Sequence, residues 1–443
     1  MKRNGEPDIL ITGGTALTMS KTMEVIENPV IGIKNGKILF VKKAGHFPEY
    51  SAKEILDASG SVVMPGLINV HTHLPMICFR GLADDLPLME WLNEHIFPAE
   101  SKYVNRDMVY NGSLLAIAEM ILSGTTTFSD VYFYESSVAQ AAIDSGIRAL
   151  PAQGLIDFPT PDNLDPSRKV QIAEKFIKKC TGVSPLISPA LACHTPFTCS
   201  AETLRIIKEV ARKANLPYII HLAETRDEVK IIRERYGTTP VRYLHSLGVL
   251  DNLTVAVHCI WLDEEEMDIL ADYGVKVSHN PESNMKLASG VAPIPKLLEK
   301  GVTVGLGTDG CASNNDMDMF MEMDTAAKIH KATTGDPTVM DAKAVLRMAT
   351  IEGAKVLGLE DKIGSIEVEK CADMIILDMK KPHLTPLYNY YSQIVYSASG
   401  SDVSTVIIDG KILMKERRLL NMDIYDIMER VRKIADAISG NNS

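Results

Sequence analysis

The feature that most constrains the fold is a succession of short apolar segments, most of which end at a polar residue and run into a helical pattern. Eight such segments recur along the chain: Val62–His73, Thr125–Asp130, Ala149–Gly154, Leu186–His194, Tyr218–Glu224, Thr254–His258, Val275–Asn280 and Val302–Asp309. Helical periodicity fills the intervals, as in Met108–Leu122 and Ala201–Ala214. Strands alternating with helices in this number predict a (β/α)₈ barrel, and their regularity favours closure over an open doubly wound sheet.

Both ends of the chain have a different texture, with short apolar runs separated by turn signals. In residues 8–63, Asn35-Gly36 lies between two alternating runs, which predicts a β-hairpin in a small antiparallel sheet. Similar runs return near the other end, at Ala372–Leu377, Ile394–Tyr396, Val403–Ile408 and Ile412–Met414. We therefore predict a β-sandwich subdomain built from residues 1–62 and 367–443, the latter with a terminal helix, around a barrel of residues 63–366.

Charge and cysteine usage limit the classes of partner. The formal net charge of −11 argues against nucleic acid or an anionic membrane as the main partner. The seven cysteines are scattered without a CxxC pair, and neither a leader-like segment nor a membrane-length apolar run is found. These features predict a cytoplasmic protein that acts on a small molecule; homo-oligomers are compatible with them.

Histidines and acids stand at the C-terminal ends of the predicted strands. His71 and His73 are two residues apart, so in an extended strand both side chains point to the same face. Other strands end near further metal-capable groups, namely His194, His221, Glu224, His258 and Asp309. Because these strand ends meet at one face of a barrel, we expect the groups to converge there.

Four of these residues form a reasonable ligand set, namely His71, His73, His221 and Asp309. Three imidazoles and one carboxylate suit a single zinc ion, with ferrous iron or manganese as substitutes. A site at a barrel mouth leaves room for water, and a bound divalent ion lowers the pKa of water toward neutrality. The pattern therefore predicts one catalytic divalent ion.

The motifs that carry these residues resemble the amidohydrolase superfamily, in its mononuclear aminohydrolase branch. They read PGLINVHTH, HLAET, VHC, SHNPESNMKLASG and GLGTDG, and the resemblance extends nearly from end to end. It implies hydrolytic deamination of an adenosine-type nucleoside to the inosine-type product and ammonia. The substrates it suggests are adenosine, 5′-deoxyadenosine, 5′-methylthioadenosine and S-adenosylhomocysteine. Triazine chlorohydrolases or aminohydrolases and other nucleobase or pterin deaminases on this scaffold stay open as alternatives.

The resemblance also implies roles for individual residues. The four metal-ligand positions match, and Asp309 counts among the catalytic residues as well. Glu224 matches the group that carries protons from water to the ring nitrogen and the leaving amine, and is placed to contact substrate too. His258 matches the histidine that orients the attacking hydroxide. Glu100, His194 and, on weaker grounds, Trp91 match positions that contact substrate.

One position departs from the resembling enzymes. Where they carry an arginine at the end of the third strand, this chain has Gln153, which we count as substrate-binding. A neutral amide binds a carboxylate less strongly than a guanidinium by about 1–1.5 kcal/mol, or roughly tenfold. We therefore expect a preference for substrates without a charged tail.

Two other readings are disfavoured. A binuclear amide-ring hydrolase would need a lysine at the end of the fourth strand, and Leu186–His194 contains none. A non-catalytic scaffold would be expected to have lost metal ligands, and this chain retains all four.

Overall fold

The computed structural model describes residues 6–45, 51–86 and 90–440. The first five residues, where the sequence predicts no leader segment, lie outside these ranges. Within the described ranges, no helix combines the length and the apolar character needed to cross a bilayer.

The two ends of the chain form sheets. The N-terminal strands are β1 (Ile9–Thr12), β2 (Thr15–Leu17), β3 (Val25–Glu27), β4 (Pro29–Lys34), β5 (Lys37–Lys43), β6 (Glu54–Asp57) and β7 (Ser61–Pro65). The central strands are β8 (Leu67–Thr72), β9 (Thr125–Tyr132), β10 (Arg148–Leu155), β11 (Ala190–Cys193), β12 (Tyr218–Leu222), β13 (Thr254–His258), β14 (Lys276–His279) and β15 (Val304–Leu306). The C-terminal strands are β16 (Met374–Asp378), β17 (Val403–Ile408), β18 (Lys411–Lys415) and β19 (Arg418–Leu419).

The central strands form one parallel sheet in sequential order from β8 to β15. The first and last strands are joined by a parallel bridge between Thr72 and Asp309, and the Asp309 N–H donates to the His71 carbonyl at 3.0 Å. These contacts bring the two edges of the sheet together. The predicted (β/α)₈ barrel is confirmed.

Helices separate the strands and cover the barrel. The α-helices are Phe97–Tyr103, Arg106–Leu122, Glu135–Ser145, Lys169–Cys180, Ala201–Ala214, Arg226–Tyr236, Pro240–Ser246, Glu264–Asp272, Pro281–Lys286, Ile294–Glu299, Met319–Thr334, Ala342–Met348, Ile351–Leu357, Tyr390–Tyr396 and Ile424–Ser439. Short 3₁₀ turns occupy Leu74–Phe79, Pro166–Arg168, Pro382–Leu384 and Gly400–Asp402, and Trp91–Ile96 is a π-helix. Several of these helices begin at a side chain that accepts a backbone N–H, such as Ser200, Thr225 or Asp263, which fixes where each helix starts.

The barrel interior is filled by small and β-branched side chains that alternate along the strands. Ile68 and Val70 of β8 pack there with Ala190 and Ala192 of β11 and with equivalent residues of the other strands. Helix Ile351–Leu357 contributes Ala354 and Val356 to the same cluster. Because the interior is packed with side chains, the barrel can bind a ligand only at its mouth.

The terminal strands form two sheets, with the orders β5-β4-β1-β6 and β19-β18-β17-β16-β7-β2-β3. The second sheet joins strands from both ends of the chain, as the sequence predicts. Ile11 and Ile31 of the first sheet share a buried core with Met374 and Ile376 of the second. The pairing is mixed rather than purely antiparallel, because β1 pairs parallel with β6 and β2 pairs parallel with β7.

Two predicted strands were wrong in extent or type. The run Val62–His73 is two strands, because β7 pairs with β16 of the terminal sheet and the chain enters the barrel after Gly66. A Cβ at Gly66 would lie 2.1 Å from the Thr126 side chain, so the crossing needs glycine. The run Ile394–Tyr396 is helical, since Asn389 caps a helix there and three apolar residues carry no period. The predicted limits at 62 and 366 remain predictions.

Candidate metal centre and active site

The barrel brings together the histidines and the aspartate that the sequence singles out. His71 lies at the end of β8, and the ring of His73 is 4.7 Å from its ring, centre to centre. The ring of His221, from β12, is 5.0 Å from that of His71 and 5.4 Å from that of His73. Nitrogens of the three rings all lie within 4.8 Å of one another. The predicted convergence at one face of the barrel is what the structure shows.

The distances between donor atoms fit one small divalent ion. A tetrahedral ion with bonds of about 2.0–2.1 Å holds its ligand atoms roughly 3.3 Å apart. His71 Nε2 lies 3.3 Å from His221 Nε2 and 3.4 Å from Asp309 Oδ1. His73 Nε2 lies 3.2 Å from the same oxygen. The donor set and its spacing are therefore those of a metal site.

Hydrogen bonds from neighbouring strands orient these side chains. His73 Nδ1 donates to the Val131 carbonyl of β9, and His221 Nδ1 donates to the His194 carbonyl at 2.9 Å. Ser283 Oγ donates to Asp309 Oδ2 at 2.7 Å. A hydrogen on Nδ1 leaves the Nε2 lone pair of each imidazole free to bind a metal ion.

The charges of the group are set by burial and by mutual contact. Burial lowers the pKa of His71 to about 4 and that of His221 well below its usual value. Burial acts in the same direction on His73, but the hydrogen bond to Asp309 raises its pKa to about 9. Burial would raise the pKa of Asp309, yet its bonds to His71 and His73 hold it well below the usual range. An ionised carboxylate thus faces two neutral imidazoles, His71 and His221, and a protonated His73, whose proton a divalent cation would have to displace.

Glu224 and His258 lie together at the edge of this group. Their side chains approach to 3.8 Å between Glu224 Oε2 and His258 Nε2, and Ser289 Oγ donates to Glu224 Oε1 at 3.4 Å. Burial raises the pKa of Glu224. His258 Nδ1 donates to Asn284 Oδ1 at 2.9 Å, so its Nε2 is left to accept a hydrogen bond. This pair can hold and release a proton beside the candidate metal centre.

Glu100 reaches the cavity from helix Phe97–Tyr103, which follows the π-helix. The Tyr132 hydroxyl donates to Glu100 Oε1 at 2.6 Å, and burial raises the pKa of Glu100 to about 7. His194 Nδ1 shares a hydrogen bond of 3.1 Å with Thr198 Oγ1, and burial lowers the pKa of His194 to about 4. Both side chains are fixed by one bond and retain free polar atoms for a ligand.

A cavity of about 430 Å³ adjoins most of these groups. Its lining includes most of the residues that the sequence proposes: His73, Trp91, Glu100, His194, His221, Glu224, His258 and Asp309. The rest of the lining is largely apolar, with Phe97, Ile156, Phe158, Leu164 and Phe197 among its members. Among the described residues that line it, none is a lysine or an arginine. A mostly apolar cavity with a few convergent polar groups is typical of a small-molecule site.

The profile of the Amidohydrolase family matches residues 62–413. The chain belongs to the amidohydrolase family. It is 50% identical over 97% of its length to a 5-methylthioadenosine/S-adenosylhomocysteine deaminase of Syntrophobacter fumaroxidans, of which 98% is covered. It is 46% identical, over 97% of this chain and 98% of the relative, to a 5′-deoxyadenosine deaminase of Methanosarcina acetivorans. The resemblance read from the motifs is confirmed, and this amidohydrolase is a hydrolase that acts on C–N bonds.

Solved structures agree with this assignment. An adenosine deaminase of Xanthomonas campestris with bound zinc superposes with a TM-score of 0.96 at 38% identity, covering 98% of this chain and 99% of that one. An atrazine chlorohydrolase of Arthrobacter aurescens, complexed with zinc, gives a TM-score of 0.90 at 24% identity, with 96% and 100% covered. The second likeness shows the shared fold alone.

Gln153 is a predicted site residue that the amidohydrolase does not bring to the cavity. Its neighbours Ala152 and Gly154 bracket it on β10, and Ala152 belongs to the barrel interior. Alternation along the strand therefore turns Gln153 outward, where its Nε2 donates to Asp162 Oδ2 at 2.9 Å. Its predicted contact with the substrate tail stays a prediction, which the outward direction of the side chain and its bond to Asp162 do not support.

Two residues of the site were missed from the sequence. Tyr132 binds Glu100, and Glu228 lines the cavity and accepts hydrogen bonds from the backbone of Glu224 and its neighbour. A signal existed for Glu228, since Thr225 and Glu228 form the T-x-x-E spacing of a helix start. No local signal marks Tyr132, because its partner is distant in sequence.

Proposed function

We propose that this amidohydrolase deaminates an adenosine-type nucleoside to the inosine-type product and ammonia, with one divalent metal ion. The observation that carries the proposal is the placement of Glu224 against His258 in the same cavity as His221 and Asp309. The deaminase relatives support the same reaction. Water adds its oxygen to C6 of the purine, the bond from C6 to the exocyclic nitrogen breaks, and the nitrogen leaves as ammonia.

The metal is proposed to be zinc, held by His71, His73, His221 and Asp309, with ferrous iron or manganese as substitutes. The donor spacing given above and the zinc in a related adenosine deaminase support this choice. A divalent ion in such a site supplies a Lewis acid and, near neutral pH, the means to ionise water. The Nδ1 contacts of His73 and His221 hold the ligand atoms toward one point.

Glu224 and His258 are proposed to handle the protons. Glu224 takes a proton from the attacking water on its carboxylate and passes it to the ring nitrogen N1. It then takes the second proton of that water from the new hydroxyl on C6 and gives it to the departing amine, as the C6 carbonyl forms. Its raised pKa, caused by burial, suits a group that must hold a proton and then give it up. His258 Nε2, freed by the bond of Nδ1 to Asn284, accepts a hydrogen bond from the attacking water and orients it.

The remaining polar groups are proposed to bind the nucleoside. Glu100 is held by the Tyr132 hydroxyl and accepts hydrogen bonds from the ribose hydroxyls. These bonds are charge-assisted when Glu100 is ionised. His194 offers its Nε2 to the substrate, and Trp91 contributes a buried aromatic face to the same cavity. These contacts orient the purine so that C6 faces the metal group.

The 5′ substituent is proposed to be uncharged. No lysine or arginine stands among the described residues that line the cavity, and most of that lining is apolar. A homocysteine carboxylate would therefore lack a cationic partner, which costs about tenfold in affinity. We expect 5′-deoxyadenosine, 5′-methylthioadenosine or adenosine to be preferred over S-adenosylhomocysteine. We also expect a cytoplasmic enzyme, whose homo-oligomeric state is left to measurement.

The test is ammonia release from a panel of substrates by the purified, zinc-loaded protein. The panel contains the four nucleosides named above, guanine and a chlorotriazine. We expect turnover of the nucleosides with neutral 5′ groups, and loss of that turnover in Glu224→Gln. Turnover of guanine or the chlorotriazine above that of every nucleoside would overturn the proposal.

A further inference from the structure

The turn between β12 and helix Arg226–Tyr236 carries Glu224. Ala223 has a φ of +52°, which places a residue with a Cβ in the left-handed region. Such a conformation persists where surrounding bonds impose it. The Ala223 carbonyl accepts the N–H groups of Ile260 and Trp261 at 3.1 and 2.9 Å, which ties one side of the turn to the loop after β13.

Glu228 binds the other side of this turn. Its Oε1 accepts the N–H of Ala223 at 2.9 Å, and its Oε2 accepts the N–H of Glu224 at 2.9 Å. Only 3% of the Glu228 surface is exposed. Both carboxylate oxygens thus accept hydrogen bonds from adjacent backbone amides, and one of these amides is that of Glu224, the proposed proton carrier.

The arrangement differs from an ordinary helix start. Thr225 accepts the N–H of Glu228 at 3.1 Å, as the first half of a capping box does. In a capping box the glutamate then returns to the N–H of the capping residue itself. Here it reaches past Thr225 to the two residues before it. The carboxylate therefore fixes the backbone of the turn rather than closing the helix.

We infer that Glu228 is a positioning residue for proton transfer, which acts by holding the turn that places the Glu224 carboxylate beside His258. The inference rests on the proposed function, in which Glu224 carries the protons. A helix cap of equal burial elsewhere in the chain offers a control: Glu266 accepts the Asp263 N–H at 2.9 Å and is 2% exposed. Glu266 belongs to a helix of the barrel exterior and does not line the cavity.

The first test compares Glu228→Gln with Glu266→Gln, each zinc-loaded and assayed with the nucleoside that the panel selects. Glutamine keeps the volume of Glu228 but turns one acceptor into a donor that faces an N–H. We expect kcat to fall about 10–100-fold, the cost of a small misplacement of a reacting group. KM and zinc content should stay at wild-type values, and Glu266→Gln should keep wild-type kcat. Unchanged kcat in Glu228→Gln, or loss of zinc from it, would overturn the inference.

A double-mutant cycle asks whether Glu228 acts through Glu224. If it does, adding Glu228→Gln to Glu224→Gln should lower the residual kcat by less than about twofold. Losses that multiply would show an independent effect and contradict the inference. Full activity of Glu224→Gln would instead remove the proposed function of that residue, whatever Glu228→Gln does.

Crystal structures provide a readout that does not depend on turnover. We expect the Glu224 carboxylate of Glu228→Gln to move away from His258, while the metal ligands stay in place. An unmoved carboxylate would contradict the inference. Should Glu228→Gln fail to fold, Glu228→Asp keeps the carboxyl group and shortens its reach by one methylene, so the same displacement and the same fall in kcat are expected.

Discussion

Around the cavity, the contacts of each carboxyl group decide what it can do. Asp309 faces His71 and His73, which hold its pKa well below the usual range against burial. For Glu224, burial outweighs the opposing effect of His258 and raises the pKa. Two carboxyl groups thereby acquire different pKa values, which suit the proposed roles of metal ligand for Asp309 and proton carrier for Glu224.

The separation predicts that Glu224→Gln retains the metal and loses catalysis. We expect kcat to fall by about 10²–10⁴-fold, the usual contribution of a general acid–base group. Zinc content by atomic emission should equal that of the wild type, because no ligand atom is removed. Loss of zinc from this variant would make Glu224 a ligand instead.

Glu100 predicts a pH-dependent effect on stability. Burial raises its pKa from 4.5 to about 7 in the folded protein. The stability that the protonated form supports is therefore complete below pH 4.5 and lost as the pH rises toward 7. Glu100→Gln lacks this pH-dependent contribution to stability, and its amide oxygen still accepts a hydrogen bond from the Tyr132 hydroxyl.

Relative to the wild type, the free energy of unfolding of Glu100→Gln should thus increase by about 3 kcal/mol over this pH range, since one pKa unit corresponds to about 1.4 kcal/mol. Urea unfolding of both proteins from acid to mildly alkaline pH measures the difference. A difference that does not change with pH would contradict the assignment of the raised pKa.

At the scale of elements, much of the site could be predicted because its residues lie at the C-terminal ends of the barrel strands. Once a closed barrel is inferred, His71, His221 and Asp309 must converge, whatever the loops do. The direction of Gln153 was not foreseeable in this way, because moving the strand register by one residue reverses every side chain. The contact of Tyr132 with Glu100 could not be predicted without the position of helix Phe97–Tyr103. That position is set by tertiary packing at the barrel mouth and not by local sequence.

The loop after β10, which carries Leu164, predicts how tail selectivity can be changed. Leu164 lines the cavity and is 82% exposed, so an arginine there can meet a carboxylate in solvent. Such an exposed pair contributes about 0.2–1 kcal/mol, or up to roughly fivefold. Leu164→Arg should raise kcat/KM for S-adenosylhomocysteine over 5′-methylthioadenosine by that factor, with Leu164→Gln as the neutral control.

Gln153→Arg should leave this ratio unchanged. The new guanidinium would lie beside the Asp162 carboxylate, to which Gln153 already donates, and outside the cavity lining. Steady-state kinetics with both nucleosides decide the point. A shift toward S-adenosylhomocysteine in Gln153→Arg, equal to or larger than that in Leu164→Arg, would show that this side chain does reach the substrate.

At the scale of the whole molecule, the terminal sheets and the barrel are joined by a buried ion pair. Arg148 at the start of β10 donates from Nε and Nη2 to the Asp373 carboxylate at 2.7 and 3.1 Å. Both side chains are at most 5% exposed. Removing one partner leaves the other charge buried and unpaired, which costs about 3–5 kcal/mol.

Arg148→Met should therefore lower the free energy of unfolding by about 3–5 kcal/mol, measured by urea unfolding of the zinc-loaded protein. The exposed pair Glu209–Lys213, with side chains 52% and 74% exposed, supplies the control. Lys213→Met should change stability by less than about 1 kcal/mol. Equal effects of the two substitutions would mean that the buried pair does not hold the two parts together.

The sequence predicts the architecture better than the details of the terminal sheets. Eight short apolar segments that alternate with helical patterns predict the barrel, and turn signals predict that both ends form sheets. The parallel pairings of β1 with β6 and β2 with β7 have no local signature. Nor does the helical state of Ile394–Tyr396, which depends on the cap at Asn389 and on packing against its neighbours.

The four converging side chains are proposed to form a single metal centre that serves nucleoside deamination. The most direct test of this proposal is ammonia release from 5′-methylthioadenosine by metal-stripped protein as zinc is added. We expect no turnover without the ion, activity that saturates near about one equivalent per chain, and one ammonia per inosine-type product. Turnover without any ion, or no ammonia at saturating zinc from any nucleoside of the panel, would contradict it.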